Sequence, residues 1–161
     1  MTRTAFWIGT VIMLLASAPA AASDSLGGPV TAQVERVIDG DTIEVRAQIW
    51  LGQDVVVRVR LTGIDTPEIS RPDCTDERAK GLEAKAHLTA LIQGQRVQLY
   101  DIHYGKYAGR VVARVETHQG FDVSDSLLAS GLAVRYSNTR PNWCAEKLTQ
   151  DLVTAHETAG P

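Results

Sequence analysis

The sequence predicts a mainly β, α+β fold, a five-stranded Greek-key barrel of the OB type with about three helices. The first half of the chain consists of short runs rich in β-branched residues, separated by turn residues. An amphipathic helix pattern follows the third run, and further helix patterns come near the C-terminal end. No linker or repeat interrupts the chain beyond residue 28, so we predict one domain at residues 23–161.

The first three strands are predicted at residues 30–38, 42–49 and 54–61. Apolar and polar residues alternate in parts of these runs, and Val30, Ala32 and Val34 share one phase. The turn signals Asp39-Gly40-Asp41 and Leu51-Gly52-Gln53 lie between the runs. This pattern predicts an antiparallel three-stranded meander.

The apolar period then changes to that of a helix at residues 77–93. Thr75 or Asp76 is placed to cap the start of this helix, and Gly94 follows its end. One helical face holds Ala84, Leu88, Leu91 and Ile92.

Two further strands are predicted at residues 96–102 and 110–117. Ser124 is then expected to cap a short helix that ends near Gly131, and residues 132–136 are expected to be extended. Asn142 is expected to open a last helix, whose apolar side holds Ala145, Leu148, Leu152 and Ala155.

Composition excludes several classes of protein. The 161 residues are 44% hydrophobic and 22% charged, which is too apolar for a disordered chain, and 13 glycines are too few for collagen. The formal net charge of −3 argues against a protein that holds nucleic acid by bulk positive charge. A soluble globular domain remains.

Residues 1–22 have the pattern of a secretory signal peptide. Arg3 precedes an apolar run at residues 5–16, and small residues follow, with cleavage expected after Ala20 or Ala22. The alternative is a membrane anchor, but the apolar run is shorter than the roughly 20 residues that a spanning helix needs. We therefore predict an extracytoplasmic protein, periplasmic or secreted, that is monomeric and not stably bound to membranes after cleavage.

The two cysteines, Cys74 and Cys144, each lie in a loop-like stretch. In an oxidising compartment they are suited to one disulfide between distant segments, and two free buried thiols are the alternative. A zinc site is disfavoured because neither cysteine has a C-x-x-C or nearby histidine partner.

Charged residues concentrate in three segments at turns or strand ends. These segments are Asp39-Gly40-Asp41-Thr42, residues 60–68 and Lys106-Tyr107-Ala108-Gly109-Arg110. An Asp-Gly-Asp alone is most often a hairpin turn, and its surroundings lack the spacing of an EF-hand. Taken together, the three segments supply the carboxylates and cationic side chains of a catalytic site.

The chemistry of these side chains suits phosphodiester hydrolysis. Asp41 and Asp65 supply the hard oxygen ligands that Ca²⁺ prefers. Arg60 and Arg110 carry planar guanidinium groups that match phosphate oxygens. Glu68, near the cation, is placed to orient or deprotonate a water. A cation and two guanidinium groups stabilise the added negative charge of the transition state.

The three segments, together with Gly81-Leu82-Glu83-Ala84 and Ser130-Gly131-Leu132-Ala133, resemble the staphylococcal nuclease family over most of residues 30–155. The resemblance implies an OB-fold and Ca²⁺-dependent cleavage of DNA and RNA to products with 3′-phosphate and 5′-hydroxyl ends.

The resemblance also implies roles for individual residues. Asp41 and Asp65 match the Ca²⁺ carboxylates, and Thr66 matches a ligand that binds through its backbone carbonyl. Glu68 matches the proposed general base, and Arg60 and Arg110 match the two phosphate-binding arginines. Asp39 matches an acidic residue of the same turn, and Lys106 and Tyr107 resemble the pair that contacts a terminal phosphate of the nucleotide.

The chain departs from the family pattern at two places. Ala108 is inserted into the usual Lys-Tyr-Gly-Arg, so a competing alignment puts Lys106 in the position that we give to Arg110. Of the family's base-stacking aromatic residues only Tyr136 is present, one residue out of register, and packing at the barrel rim is its alternative role.

We therefore expect a Ca²⁺-dependent nuclease that acts on DNA, RNA or both. The alternative is a non-catalytic OB-type module that binds nucleic acid or protein. Retention of the acidic residues and arginines favours the enzyme.

Overall fold

The structure is a computed structural model that describes residues 24–106 and 109–144. The predicted signal peptide and Tyr107 lie outside the described residues. In chain order the elements are β1 (Ser25–Leu26), β2 (Val30–Asp39), β3 (Thr42–Trp50), β4 (Gln53–Leu61), β5 (Ile64–Asp65), α1 (Thr75–Ile92), β6 (Arg96–Tyr104), β7 (Arg110–Thr117), α2 (Val123–Ala129) and β8 (Val134–Arg135).

Five long strands close into a barrel. β2, β3 and β4 form the predicted antiparallel meander. β4 then pairs in parallel with β7, β7 pairs antiparallel with β6, and β6 pairs antiparallel with β2, which completes the ring. Closure leaves these strands without open edges. The mainly β, OB-type fold class is thereby confirmed.

The barrel interior is filled by β-branched and aliphatic side chains. Inward positions alternate along each strand, as in Val34, Ile43 and Val45, which are at most 1% exposed. Two register shifts in β2 bend that strand around the barrel. The other large core residues include Val59, Leu61, Val97, Leu99, Val115, Leu88, Ile92 and Leu127.

Helix α1 covers one end of the barrel with a single face. Its buried residues recur every three or four positions, which is the spacing of one helical face. The predicted Leu91 is only partly buried. That face carries Glu77, Gly81, Ala84, Leu88 and Ile92.

The predicted helix caps were wrong by one or two residues. Cys74, and not Thr75 or Asp76, is the N-cap of α1, and its Sγ accepts from the Glu77 N–H at 3.4 Å. For α2 the N-cap is Asp122, whose carboxylate accepts from the Ser124 N–H at 2.8 Å. In both helices, a residue that precedes the predicted cap accepts from the exposed N–H groups of the first turn.

The last predicted helix is described only at its start. Asn142, its predicted cap, accepts through Oδ1 from the Cys144 N–H at 3.1 Å, and the rest of this helix lies outside the described residues. Only Val134 and Arg135 of the extended stretch at residues 132–136 form a strand, which pairs with β5. No helix within the described ranges is long and apolar enough to cross a membrane.

Candidate nuclease-like site

Asp41 lies in the tight turn between β2 and β3, at the rim of the barrel. Its backbone carbonyl accepts from the Leu61 N–H at 2.8 Å, and its Oδ1 accepts from the Thr42 hydroxyl at 2.8 Å. The residue is 3% exposed. A carboxylate that is so buried needs charged partners or a cation to remain ionised.

Gly40 lets this turn approach the residues beneath it. A Cβ at this position would lie 2.8 Å from the Ala84 Cβ of α1 and 2.8 Å from Thr66 Oγ1. Real Cβ atoms do not approach other atoms so closely, so a side chain here would push the turn away. Glycine therefore lets the turn between β2 and β3 lie directly against Thr66 and Ala84.

Arg60 joins the two predicted cation-binding carboxylates. Its Nη1 lies 2.8 Å from Asp41 Oδ2, and its Nη2 lies 2.6 Å from Asp65 Oδ1. The register of β3 and β4 places Arg60 opposite Thr42, next to Asp41. The structure thus brings Asp41, Arg60 and Asp65 together, although they come from three different elements.

Several carboxylates lie close together at this rim, and their pKa values are shifted. Burial raises the pKa of Asp41 to about 6, although Arg60 and the Thr42 hydroxyl lower it. Asp39, whose Oδ1 accepts from the Gly40 N–H at 2.9 Å, also has a raised pKa because it is partly buried. Such a cluster attracts a cation, since a cation relieves the cost of holding these groups ionised.

Glu68 lies in the segment between β5 and α1, which we call the Glu68 loop (residues 66–73). Its side chain is exposed to solvent. Partial burial raises the pKa of Glu68, and the negative charge of Asp39 raises it further. The positive charges of Arg140 and Arg60 act in the opposite direction and lower this pKa.

The donor set fits a hard cation that keeps water ligands. Within residues 24–106 and 109–144, no group of three or more His, Cys, Asp and Glu side chains is placed to hold a metal ion by itself. Asp41, Asp65 and the buried Thr66 offer two carboxylates and one backbone carbonyl. Ca²⁺ accepts such oxygen ligands and completes its coordination with water or substrate oxygens.

A cleft of about 340 Å³ opens beside Arg60. Lys106 and Arg110 both line this cleft. In the register of β4 and β7, Arg60 is opposite Val112 and Arg58 is opposite Arg110, so Arg60 and Arg110 start from the same face of the sheet. The assignment of the second phosphate-binding position between Arg110 and Lys106 stays a prediction.

Tyrosine side chains form other parts of the cleft wall. Tyr136 is 54% exposed there, and its N–H donates to the Gly63 carbonyl at 2.9 Å. Tyr104 is 77% exposed in the same cleft, with His103 beside it. The strand predicted at residues 96–102 ends before Tyr104, which is not among the predicted site residues. In the structure β6 continues past a register shift that includes Asp101, at φ 52°.

A second cavity, of about 700 Å³, lies between the end of α1 and the start of α2. Arg96, His118 and Phe121 are among its lining residues. None of the predicted site residues that the structure describes lines it. Cavity size alone therefore does not identify the candidate site.

Cys74 and Cys144 form a disulfide in the structure, with Cα atoms 6.2 Å apart. This bond fastens the segment after β8 to the start of α1. Next to it lies Glu77, a buried carboxylate that was predicted only as the first residue of a helix. A signal was present in the sequence, since Glu77 stands three residues after the N-cap, as in a capping box.

Comparisons with known proteins place the chain beside nucleases. A family profile described as staphylococcal nuclease homologue matches residues 58–160. The chain is 31% identical over 111 residues to an uncharacterized endonuclease of Escherichia coli, an alignment that covers 68% of this chain and 64% of that protein. It is 43% identical over 86 residues to a thermonuclease of Staphylococcus intermedius, which covers 51% of this chain and 46% of that protein. The matched regions thus span about half to two thirds of the length of these relatives.

Proposed function

Because the chain belongs to the staphylococcal nuclease family, we propose that it is a Ca²⁺-dependent nuclease that hydrolyses phosphodiester bonds of DNA, RNA or both. The observation that carries this proposal is the double ion pair of Arg60 with Asp41 and Asp65 beside a cleft lined by further cationic side chains. A phosphodiester and a divalent cation together need this combination of anionic and cationic groups.

Asp41, Asp65 and the carbonyl of Thr66 are the residues that would hold Ca²⁺. Ca²⁺ held by these residues would supply positive charge for the phosphoryl oxygens and would favour ionisation of a water. The raised pKa of Asp41 supports this assignment, because burial disfavours its charge when no cation is bound. Asp39 adds negative charge to the same rim.

Arg60 and Arg110 are the proposed phosphate clamps. The guanidinium of Arg60 is held by two carboxylates, so its orientation is set before substrate binds. Negative charge that develops on the phosphoryl oxygens is then stabilised by cationic donors whose positions are already set. This arrangement stabilises the transition state more than the ground state. Lys106 adds charge at the cleft, and Tyr107 is proposed to act with it on a terminal phosphate.

Glu68 is the proposed general base, which takes a proton from the attacking water. A base works best when its pKa lies near the working pH, and the raised pKa of Glu68 moves it in that direction. Tyr136, and with it Tyr104, is proposed to stack on bases of the bound strand. Stacking is tolerant of sequence, as a nuclease without strong base preference requires.

We propose that the protein acts outside the cytoplasm, as a monomer in the periplasm or after secretion. The pattern of residues 1–22 and the disulfide between Cys74 and Cys144 support this location, since disulfides persist in oxidising compartments.

The test uses the protein without residues 1–22 and single-stranded DNA, in Ca²⁺ and in a chelator. We expect cleavage in Ca²⁺ and none in the chelator. A folded sample that binds the DNA without cutting it would instead support the non-catalytic binding module.

A further inference from the structure

Glu77 is a buried carboxylate outside the cleft. It is 1% exposed, and it lies in the first turn of α1. Its Oε1 accepts from the backbone N–H of Glu68 at 3.3 Å, and its Oε2 accepts from the backbone N–H of Asp73 at 2.5 Å. One side chain therefore holds both Glu68 and the far end of the Glu68 loop.

This arrangement differs from an ordinary capping box. In that motif the glutamate at the third helical position accepts from the N–H of the N-cap residue itself. Glu77 reaches further, to the residue before the N-cap Cys74 and to Glu68, nine positions earlier in the chain. Helix capping alone does not require the contact to Glu68.

The buried charge of Glu77 is compensated. Burial by itself would raise the pKa of Glu77, but hydrogen bonds from the Asp73 and Glu68 N–H groups and from Arg140 outweigh burial and lower the pKa. Arg140 Nη2 lies 3.2 Å from Glu77 Oε1 and 3.4 Å from Asp73 Oδ2. Glu77 is thus a charged acceptor, and charged acceptors make the stronger hydrogen bonds.

Two further contacts keep Arg140 at this place. The disulfide ties Cys144, four residues after Arg140, to the N-cap of α1. The Lys80 Nζ donates to the Trp143 carbonyl at 3.5 Å. The segment that carries Arg140 is therefore fastened to the first turns of α1.

The same helical face approaches the loop one turn later. A Cβ on Gly81 would lie 2.6 Å from the Pro67 carbonyl oxygen and 3.3 Å from the Glu68 backbone carbon. The loop therefore lies directly on the helix backbone at Gly81. Glu77 and Gly81 thus both contact the backbone of the loop at or next to Glu68.

We propose that Glu77 is a positioning residue for Glu68: paired with Arg140, its carboxylate holds the Glu68 N–H and so fixes the backbone from which the Glu68 side chain projects. This inference rests on the proposed function, in which Glu68 acts on the attacking water. Glu77 itself contacts no reacting atom. It acts on catalysis only through the geometry of the loop.

The main test is Glu77→Gln, with Glu83→Gln as the matched control on an exposed part of α1. A glutamine offers one acceptor oxygen, so its amide group is left facing one of the two backbone N–H groups. We expect kcat to fall by about 10²-fold, the cost of a misplacement of about 1 Å. KM and Ca²⁺ affinity are expected to stay near the wild-type values, because the cation ligands and phosphate clamps are unchanged.

Amide hydrogen exchange supplies a readout that does not depend on activity. We expect the Glu68 and Asp73 amides to exchange about tenfold faster in Glu77→Gln, since each loses part of a charged hydrogen bond. Both amides should keep the wild-type rate in Glu83→Gln. If wild-type protein cleaves no DNA in Ca²⁺, the proposed function fails, and these exchange rates still decide whether Glu77 holds the loop.

Arg140→Gln provides a second variant that leaves the buried carboxylate in place. The Arg140 side chain is 50% exposed, so its loss should not prevent folding. We expect a smaller fall in kcat, about fivefold, with unchanged KM. If Glu77→Gln does not fold, Arg140→Gln decides by the same readouts. Wild-type kcat and wild-type exchange of the Glu68 amide in a folded variant would overturn the inference.

Discussion

Replacing Asp41 by asparagine separates the stability of the fold from the proposed binding of a cation. Asp41 is 3% exposed, and its only charged partner by direct contact among the described residues is Arg60, which it shares with Asp65. Asparagine has nearly the same shape and keeps an oxygen for the Thr42 hydroxyl. The substitution therefore removes the charge with little change in packing.

The pKa of Asp41 gives the expected magnitude. Burial raises it from 3.8 to about 6. Since one pKa unit corresponds to about 1.4 kcal/mol, holding Asp41 ionised in the folded protein costs about 3 kcal/mol. Between these two pH values the folded state binds more protons than the unfolded state. The stabilisation by proton uptake is thus complete below pH 3.8 and is lost as the pH rises through about 6.

We therefore expect Asp41→Asn to be more stable than the wild type at pH 8 in a chelator, by up to about 3 kcal/mol. The difference should shrink toward zero near pH 4, where the wild-type carboxyl is protonated. Urea denaturation at both pH values measures the free energies of unfolding. Asp54→Asn, at an exposed position of β4, is the matched control and should stay within about 0.5 kcal/mol of the wild type.

A lower free energy of unfolding for Asp41→Asn than for the wild type at pH 8 would refute this reasoning. If Asp41→Asn is less stable than the wild type in chelator, the ion pair with Arg60 contributes more than burial costs. Added Ca²⁺ provides a further comparison. It should stabilise the wild type and not the variant, because a ligand that binds only the folded state raises the free energy of unfolding.

Three further predictions concern the candidate site. Glu68→Gln should lower kcat by about 10²-fold or more at unchanged Ca²⁺ affinity, and a wild-type rate would remove Glu68 from the role of base. Arg110→Lys should lower kcat/KM more than Lys106→Arg does, because lysine lacks the planar fork; the reverse order would assign the phosphate clamp to Lys106. Alanine at Tyr104 or Tyr136 should raise KM for single-stranded DNA about tenfold each, and an unchanged KM would exclude stacking there.

The strands were predictable because their signals are local. Alternation of apolar residues and the turn residues between them specify where β2, β3 and β4 begin and end. The predicted limits of these three strands differ from the observed ones by one residue at most. The end of β6 was less predictable, because the strand continues beyond a register shift that only its partner β7 stabilises.

The helix caps show why local signals can compete. Cys74, Thr75 and Asp76 stand next to one another, and each has a side chain that can accept from an exposed N–H. The disulfide to Cys144 holds Cys74 at the position of the N-cap. That choice depends on a residue 70 positions away, so no local pattern contains it.

The net charge of −3 at first counted against a nucleic-acid substrate. In the structure Asp41 and Asp65 share an ion pair with Arg60, and the charges of Asp39 and Asp65 add to burial in raising the pKa of Asp41. The acidic total is therefore partly a property of one site. It is compatible with weak, cation-dependent capture of a nucleic acid.

The sequence by itself determined the barrel strands, the amphipathic helix and the residue types for phosphate and cation chemistry, because periodicity, turn residues and side-chain chemistry are local properties. Only the tertiary structure decided that Arg60 bridges Asp41 and Asp65, that Tyr104 joins the cleft, and that Glu77 holds the Glu68 loop. Each of these contacts depends on strand register or on the packing of α1 against a loop. Register and packing are set when the whole barrel closes around its core. They therefore cannot be predicted from the sequence of a single segment.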